Sequence, residues 1–123
     1  MWYTLRVESV PLLTVTFFRS DAGREPVKAW LRSLSKEDRK VIGEDIKLVQ
    51  FRWPLGMPLV RKLGSNLWEL RSRLEDGRIG RTLFTVDRDE MILLHGFIKK
   101  SQKTPKSDLA LAETRRDLWR GEK

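Results

Sequence analysis

The amino-acid sequence predicts an α+β fold: an N-terminal strand, a helical hairpin, a three-stranded antiparallel meander completing the sheet, and a C-terminal helix. Three observations lead there. A β-branched and aromatic run, Thr14 to Phe18, precedes two stretches whose apolar residues recur every three or four positions. From Leu67 the apolar period becomes two, with an Asp-Gly turn at Glu75-Asp76-Gly77. Thr104-Pro105 then opens a last helical stretch, as N-cap and first-turn proline. Helices on one face of an antiparallel sheet bury the apolar side of each.

Element by element, Met1 to Val10 reads as an extra strand, broken by Pro11. Gly23-Arg24-Glu25-Pro26 opens the first helix, where Val27, Trp30, Leu31 and Leu34 form one stripe. Ser35-Lys36-Glu37-Asp38 starts the second, its acidic residues suited to the positive end of a helix. Ile42, Ile46, Val49 and Trp53 stripe that helix, and Pro54 stops it. Leu55 to Asn66 reads mostly as loop, with a short strand over Val60 to Leu63. In the meander, Trp68, Leu70 and Leu74 point to one face and Glu69, Arg71 and Arg73 to the other. Ile79 to Val86 returns, Asp87 to Glu90 turns again, and Met91 to Ile98 is apolar enough for a central strand covered on both sides. Gly96 interrupts it and signals a bulge or a close backbone approach. Leu111, Leu118 and Trp119 are the expected docking residues of the last helix, which ends at Gly121.

The 123 residues are expected to form one domain, residues 1–123. With no cysteine, disulfides and thiolate zinc sites are excluded. No run approaches the roughly 18 apolar residues of a membrane span. Met1 to Thr16 carries Arg6 and Glu8 and has no small-residue cleavage site, so a cytoplasmic protein is expected. Twenty-five Lys+Arg against seventeen Asp+Glu give +8, and both halves of the chain are basic. That balance favours a polyanionic partner: RNA, DNA, an acidic protein or an anionic membrane.

One histidine and no cysteine leave any Ser-His-Asp or Cys-His arrangement resting on His95. No G-x-G-x-x-G, P-loop or H-E-x-x-H occurs, and neither a cofactor nor a metal is expected. What remains is a set of cations carried by the sheet. Arg71 and Arg73 share a strand face, and Arg81 lies on the neighbouring strand. Lys99, Lys100 and Lys103 follow the central strand, and Arg61-Lys62 precede the first hairpin strand. Paired as read, these groups converge on one end of the sheet. Such a cluster can cleave RNA by promoting attack of a 2′-hydroxyl on the adjacent phosphate. Arginine stays protonated and grips phosphate bidentately, and a lysine crowded by cations can carry a proton near neutral pH. The ordinary role of any one such residue is a solvated surface charge, and charge alone does not establish catalysis. His95, between Leu94 and Gly96, is by default a hydrogen-bonded structural histidine, with catalysis through its switchable charge as the alternative. Trp30, Trp53, Trp68 and Trp119 read as core, with base stacking the alternative for Trp68.

Three strings in order carry a resemblance: Leu67-Trp68-Glu69-Leu70-Arg71, Gly80-Arg81-Thr82-Leu83-Phe84, and Leu93 to Pro105, LLHGFIKKSQKTP. With Met57 to Leu63 before them, they resemble the phage-derived branch of HigB-type toxins in the RelE/ParE superfamily, over roughly Thr14 to Trp119. The resemblance implies the RelE-like fold and the toxin of a type II toxin–antitoxin system. It implies an mRNA endonuclease acting in the ribosome, without metal, and an oligomeric complex with an antitoxin that often contains a helix-turn-helix. Carried over by motif, Arg71, Arg81, Lys99 and Lys100 are the expected catalytic residues. Lys62 and Lys103 come next, and Arg73 rests on strand parity alone; with Arg61 and His95 these are the expected RNA-binding residues. Several RelE-type toxins use a tyrosine near the end of the chain; the tyrosine here is Tyr3, and the last helix offers Trp119 instead. The group that protonates the leaving oxygen is thus left open. The alternatives are a ParE-like gyrase inhibitor, which tends to lack the basic set, and a non-catalytic RNA- or protein-binding module on the same scaffold.

Overall fold

The computed structural model describes residues 10–121, so the strand expected over Met1 to Val10 lies, but for Val10, outside the described residues. The elements are β1 (Thr14–Phe17), α1 (Pro26–Ser33), α2 (Lys36–Arg52), β2 (Val60–Gly64), β3 (Leu67–Arg73), β4 (Ile79–Asp87), β5 (Glu90–Lys99) and α3 (Lys106–Gly121). They form a sheet of order β1-β5-β4-β3-β2, in which β1 runs parallel to β5 and all other pairs are antiparallel. The expected α+β order holds. The meander has four strands, because the short strand inside the loop pairs with β3 and extends it.

Local chemistry explains the boundaries. Pro26 occupies the first turn of α1, where a missing N–H costs no bond. Ser35 caps α2, its hydroxyl accepting from the Asp38 amide at 3.1 Å. Between β3 and β4, Asp76 and Gly77 both take positive φ, 61° and 72°, as the tight hairpin turn requires.

The sheet is covered on both faces. The α1–α2 hairpin buries Val27, Ile42, Ile46 and Val49 against Leu70, Phe84, Met91 and Leu93. Trp53, just past α2, meets Trp68 edge-on at 5.0 Å between ring centroids and Phe84 at 5.7 Å. On the opposite face α3 covers Phe18, Leu67, Leu83, Ile92 and Leu94 with Ala112.

Between these layers β5 changes register. Leu83 pairs with His95 but Phe84 pairs with Leu93, which leaves Leu94 as the extra residue of a bulge. Met91 and Leu93 face the hairpin; past the bulge, His95, Phe97 and Lys99 turn to the α3 face and Gly96 turns to the hairpin. A side chain there is impossible without rearrangement, since a Cβ on Gly96 would meet Trp30 Cε3 at 2.1 Å. Of the two readings of Gly96, the close approach is what is found, by the Trp30 ring; the bulge lies two residues earlier, at Leu94, and Gly96 itself pairs in register with Thr82.

The docking of α3 needs a correction. Leu111 and Leu118, expected to anchor the helix, are exposed at 38% and 50%. Trp119 faces the sheet as expected, and Ala112 and Leu109 take the places foreseen for the two leucines. Polar anchors share that stripe: Arg115 Nη1 donates to the Leu94 carbonyl at 2.8 Å, Arg116 Nη1 to the Ser65 carbonyl at 2.8 Å, and Arg120 Nη2 to the Val86 carbonyl at 3.0 Å. Hydrophobicity alone misleads here because the face that packs is half arginine. No helix among the described residues is long and apolar enough to cross a membrane.

Candidate functional site

Strand register sorts the cations into rows on the α3 face. One row is Arg61, Glu69, Leu83 and His95, each opposite the next on β2, β3, β4 and β5. The next is Arg71, Arg81 and Phe97, and the third is Arg73, Ile79 and Lys99. Successive rows are two residues apart, about 6–7 Å along the strands. Arg71 and Arg81, expected to come close from sequence, are therefore direct cross-strand neighbours.

Like charges at such a position repel, and Glu69 offsets them. Its carboxylate is fully buried; Oε1 lies 3.3 Å from Arg71 Nη1, and Oε2 accepts from the Thr104 hydroxyl at 2.6 Å. Arg81 is 0% exposed, packs its guanidinium 5.8 Å from the Phe97 ring centroid, and donates from Nη1 to the Lys103 carbonyl at 3.0 Å. Its Nε and Nη2 are buried and, among the described residues, have no hydrogen-bond partner. Burial holds the Arg81 pKa below the ordinary arginine value; Arg71 and Arg61 push the same way, while Glu69 and Asp108 oppose. A buried guanidinium with two unmet donors is costly to the fold, and donors of that kind suit an anion.

The segment between β5 and α3 covers this pair. Arg71 Nη1 donates to the Gln102 carbonyl at 3.3 Å, and Nη2 to Gln102 Oε1 at 2.6 Å. With the Lys103 carbonyl on Arg81 and Thr104 on Glu69, Ser101 to Thr104 form a strap over the row.

Several expected site residues join this arrangement and others do not. Arg61, Arg73 and Lys99 are exposed on the same face. Lys103 joins through its carbonyl, its side chain being exposed. Lys100 lies beyond the end of β5, exposed. Lys62 faces away: its Nζ stands 5.9 Å from the Trp68 ring centroid on the hairpin side, because neighbouring strand residues alternate. Trp68 is packed with Trp53 and Phe84, as a core residue.

His95 sits one row away and is engaged with α3. Its Nε2 is 2.7 Å from Asp108 Oδ1, and its Nδ1 is 3.5 Å from Arg115 Nη1. Both contacts are met when Nδ1 accepts and Nε2 carries the proton, donating to Asp108. Trp119 donates to Asp87 Oδ2 at 3.1 Å, at the opposite end of β4 from Arg81 and so about 20 Å along the strand. It is not placed to act at the arginine pair. Tyr3 lies outside the described residues.

The sequence reading missed Glu69 as a partner of the site, along with Gln102 and Thr104. The parity that paired Arg71 with Arg73 also put Glu69 on their face, and that was the available signal. Nothing in the sequence pattern announced the strap.

Residues 29–117 match the family model described as phage-derived protein Gp49-like (DUF891), nearly three-quarters of the chain. The chain belongs to the phage-derived Gp49-like family. That family is one of RelE/ParE-like toxins, and the mixed sheet of this Gp49-like chain is compatible with a RelE-like fold. Among curated proteins no relative of it matches. The matched span of the Gp49-like chain includes every candidate site residue, from Arg61 to Lys103.

Proposed function

We propose that this chain is the toxin of a type II toxin–antitoxin pair, of the HigB kind, and that it cleaves mRNA on the ribosome at the Arg71–Arg81 pair. The observation that supports this reading best is Arg81: a fully buried guanidinium with two donors unused, opposite Arg71 in the sheet register. A phosphate is the ligand such a pair accepts, two oxygens at a time.

In the reaction the 2′-oxygen attacks phosphorus and the bond to the 5′-oxygen breaks, leaving a cyclic phosphate and a 5′-hydroxyl. Extra negative charge develops on the phosphoryl oxygens, where the two arginines stand. Glu69 positions Arg71 through their 3.3 Å contact and keeps the cluster from self-repulsion. Lys99, exposed two residues beyond Phe97 on the same face, is the candidate to move a proton, with Lys100 beside it. The two Gln102 oxygens on Arg71 stand in for phosphate oxygens, so substrate entry exchanges them for the scissile group. An acidic antitoxin segment laid over the same cations would silence the site by charge complementarity.

Primer extension on a reporter mRNA in a reconstituted translation mixture, with and without ribosomes, tests this. Expected is cleavage within ribosome-occupied codons, reduced by about 10²–10³ in Arg71→Ala and in Arg81→Ala. A folded protein that cleaves in neither setting would overturn the proposal, and inhibition of gyrase supercoiling would replace it with the gyrase reading.

A further inference from the structure

We propose that the cavity beside the arginine pair, about 390 Å³, is a subsite for one unpaired ribonucleotide of the RNA, flanking the scissile phosphate. This rests on the ribonuclease reading and names where the neighbouring residue of the substrate goes. The cavity is continuous with the catalytic row, because Arg71 and Gln102 form one of its walls. Its volume falls at the small end of ligand pockets, the size of a single nucleoside unit rather than a helix or a peptide.

Its lining has the two chemistries a nucleotide needs. Pro58, Leu74, Ile79 and Met57 supply apolar surface for the flat faces of a base, and Met57 is 64% exposed at the cavity. A thioether is polarizable and unbranched, and so adapts to an aromatic ring of either size. Arg73 supplies the charge. It is exposed, it has no ion-pair partner among the described residues, and it lies one row beyond Arg71 on the same strand face. The interval of about 6–7 Å between those rows is close to that between successive phosphates of an extended RNA strand. Arg78, the remaining cation of the wall, is held by Asp38 at 2.7 Å and 3.1 Å and so shapes the cavity rather than meeting the ligand. Gln102, with Oε1 on Arg71, turns its amide NH₂ free for a base edge. Single-stranded RNA is read in this way, by stacking on side chains and hydrogen bonds to splayed bases.

The test uses a single-stranded RNA tetranucleotide carrying 2′-O-methyl groups, which cannot cleave because the attacking hydroxyl is blocked. Its binding to the full chain is followed by fluorescence anisotropy and by the methyl resonance of Met57, with buried Met91 on the hairpin face as reference. The expected result is a Met57 shift that saturates with the anisotropy curve while Met91 stays still. Arg73→Ala weakens binding about tenfold and makes the log–log salt dependence shallower by about 0.7. Met57→Ala weakens it about fivefold or more and leaves that slope unchanged. Both side chains are exposed, and circular dichroism confirms that the variants fold. Binding and ribosomal cleavage by the wild type with an unmoved Met57 would overturn the subsite and leave the ribonuclease reading standing. A Met57 shift produced by a poly-glutamate peptide but not by RNA would overturn it in favour of an acidic protein partner. Neither binding nor cleavage would overturn both.

Discussion

The two faces of β3 and β4 are built from alternate residues of the same strands yet obey different rules. Toward the α1–α2 hairpin stand Trp68, Leu70 and Phe84, packed by rings and aliphatic chains. Toward α3 stand Glu69, Arg71 and Arg81, held by charge and by carbonyls of the strap. A face that packs apolar atoms gains from every contact it makes. A face that buries a guanidinium gains only when each donor is met, and Arg81 has two that are not. The hairpin face thus packs along these strands, while on the α3 face an apolar part, Leu67 and Leu83, gives way to charge buried at a cost in stability.

The sharpest break of this contrast is Phe84→Ala. Removing a fully buried ring from the hairpin face lowers unfolding stability by about 3–5 kcal/mol in urea titration; a loss below about 1 kcal/mol would show that the face is not the main core. Next comes Arg81→Met, its mirror image. Cleavage falls by about 10²–10³, while the midpoint of thermal unfolding stays level or rises, because an incompletely bonded buried charge is replaced by a chain of similar bulk. A marked drop in that midpoint would mean that Arg81 serves the fold.

Asp38→Asn gives a smaller effect with a pH signature. The Arg78 guanidinium holds the Asp38 carboxyl below its usual value, tying the start of α2 to the β3–β4 turn. A depressed folded pKa contributes stability above the unfolded value, about 3.9, and loses it as pH falls through the folded one. The variant is therefore less stable than wild type at pH 7, and the gap narrows below about pH 4; an equal gap at pH 7 and pH 3 in urea titrations would refute the pairing. The smallest change expected is that of Lys62→Ala, which removes an exposed cation–π contact of about 0.5–1 kcal/mol. RNA affinity drops less for it than for Arg61→Ala, since only Arg61 shares the face of the arginine pair; equal losses in the anisotropy assay would place RNA on both sides of β2.

The order of elements was legible because each carried a local signal. Ser35 caps, Pro26 and Pro54 bound helices, Asp76-Gly77 turns, and the period of two from Leu67 orients β3. Those signals act within a few residues, which is why they can be read one at a time. The pairing of Arg71 with Arg81 followed from hairpin parity. What was not legible depends on residues far apart in the chain. The β5 bulge changes which face the second half of that strand presents. The α3 stripe uses arginine stems and heads where a hydrophobicity pattern points to Leu111 and Leu118. The strap bonds Gln102 to Arg71 across 31 positions, with no periodic mark to betray it.

The bulge at Leu94 also makes β5 respond in opposite ways to losing and to gaining one residue. Leu93 already stands opposite Phe84 and His95 opposite Leu83, so removing Leu94 joins the two into a regular ladder. His95 to Lys99 then keep their faces, and what is lost is the packing of one buried leucine. One residue inserted between Leu94 and His95, with the bulge kept, turns the strand end over instead. Gly96 then leaves the Trp30 ring, and Phe97 is withdrawn from Arg81. A single-codon insertion here is a reversal of the strand end, felt in the core and in the basic face at once, where a single-codon deletion is a local repair of the ladder.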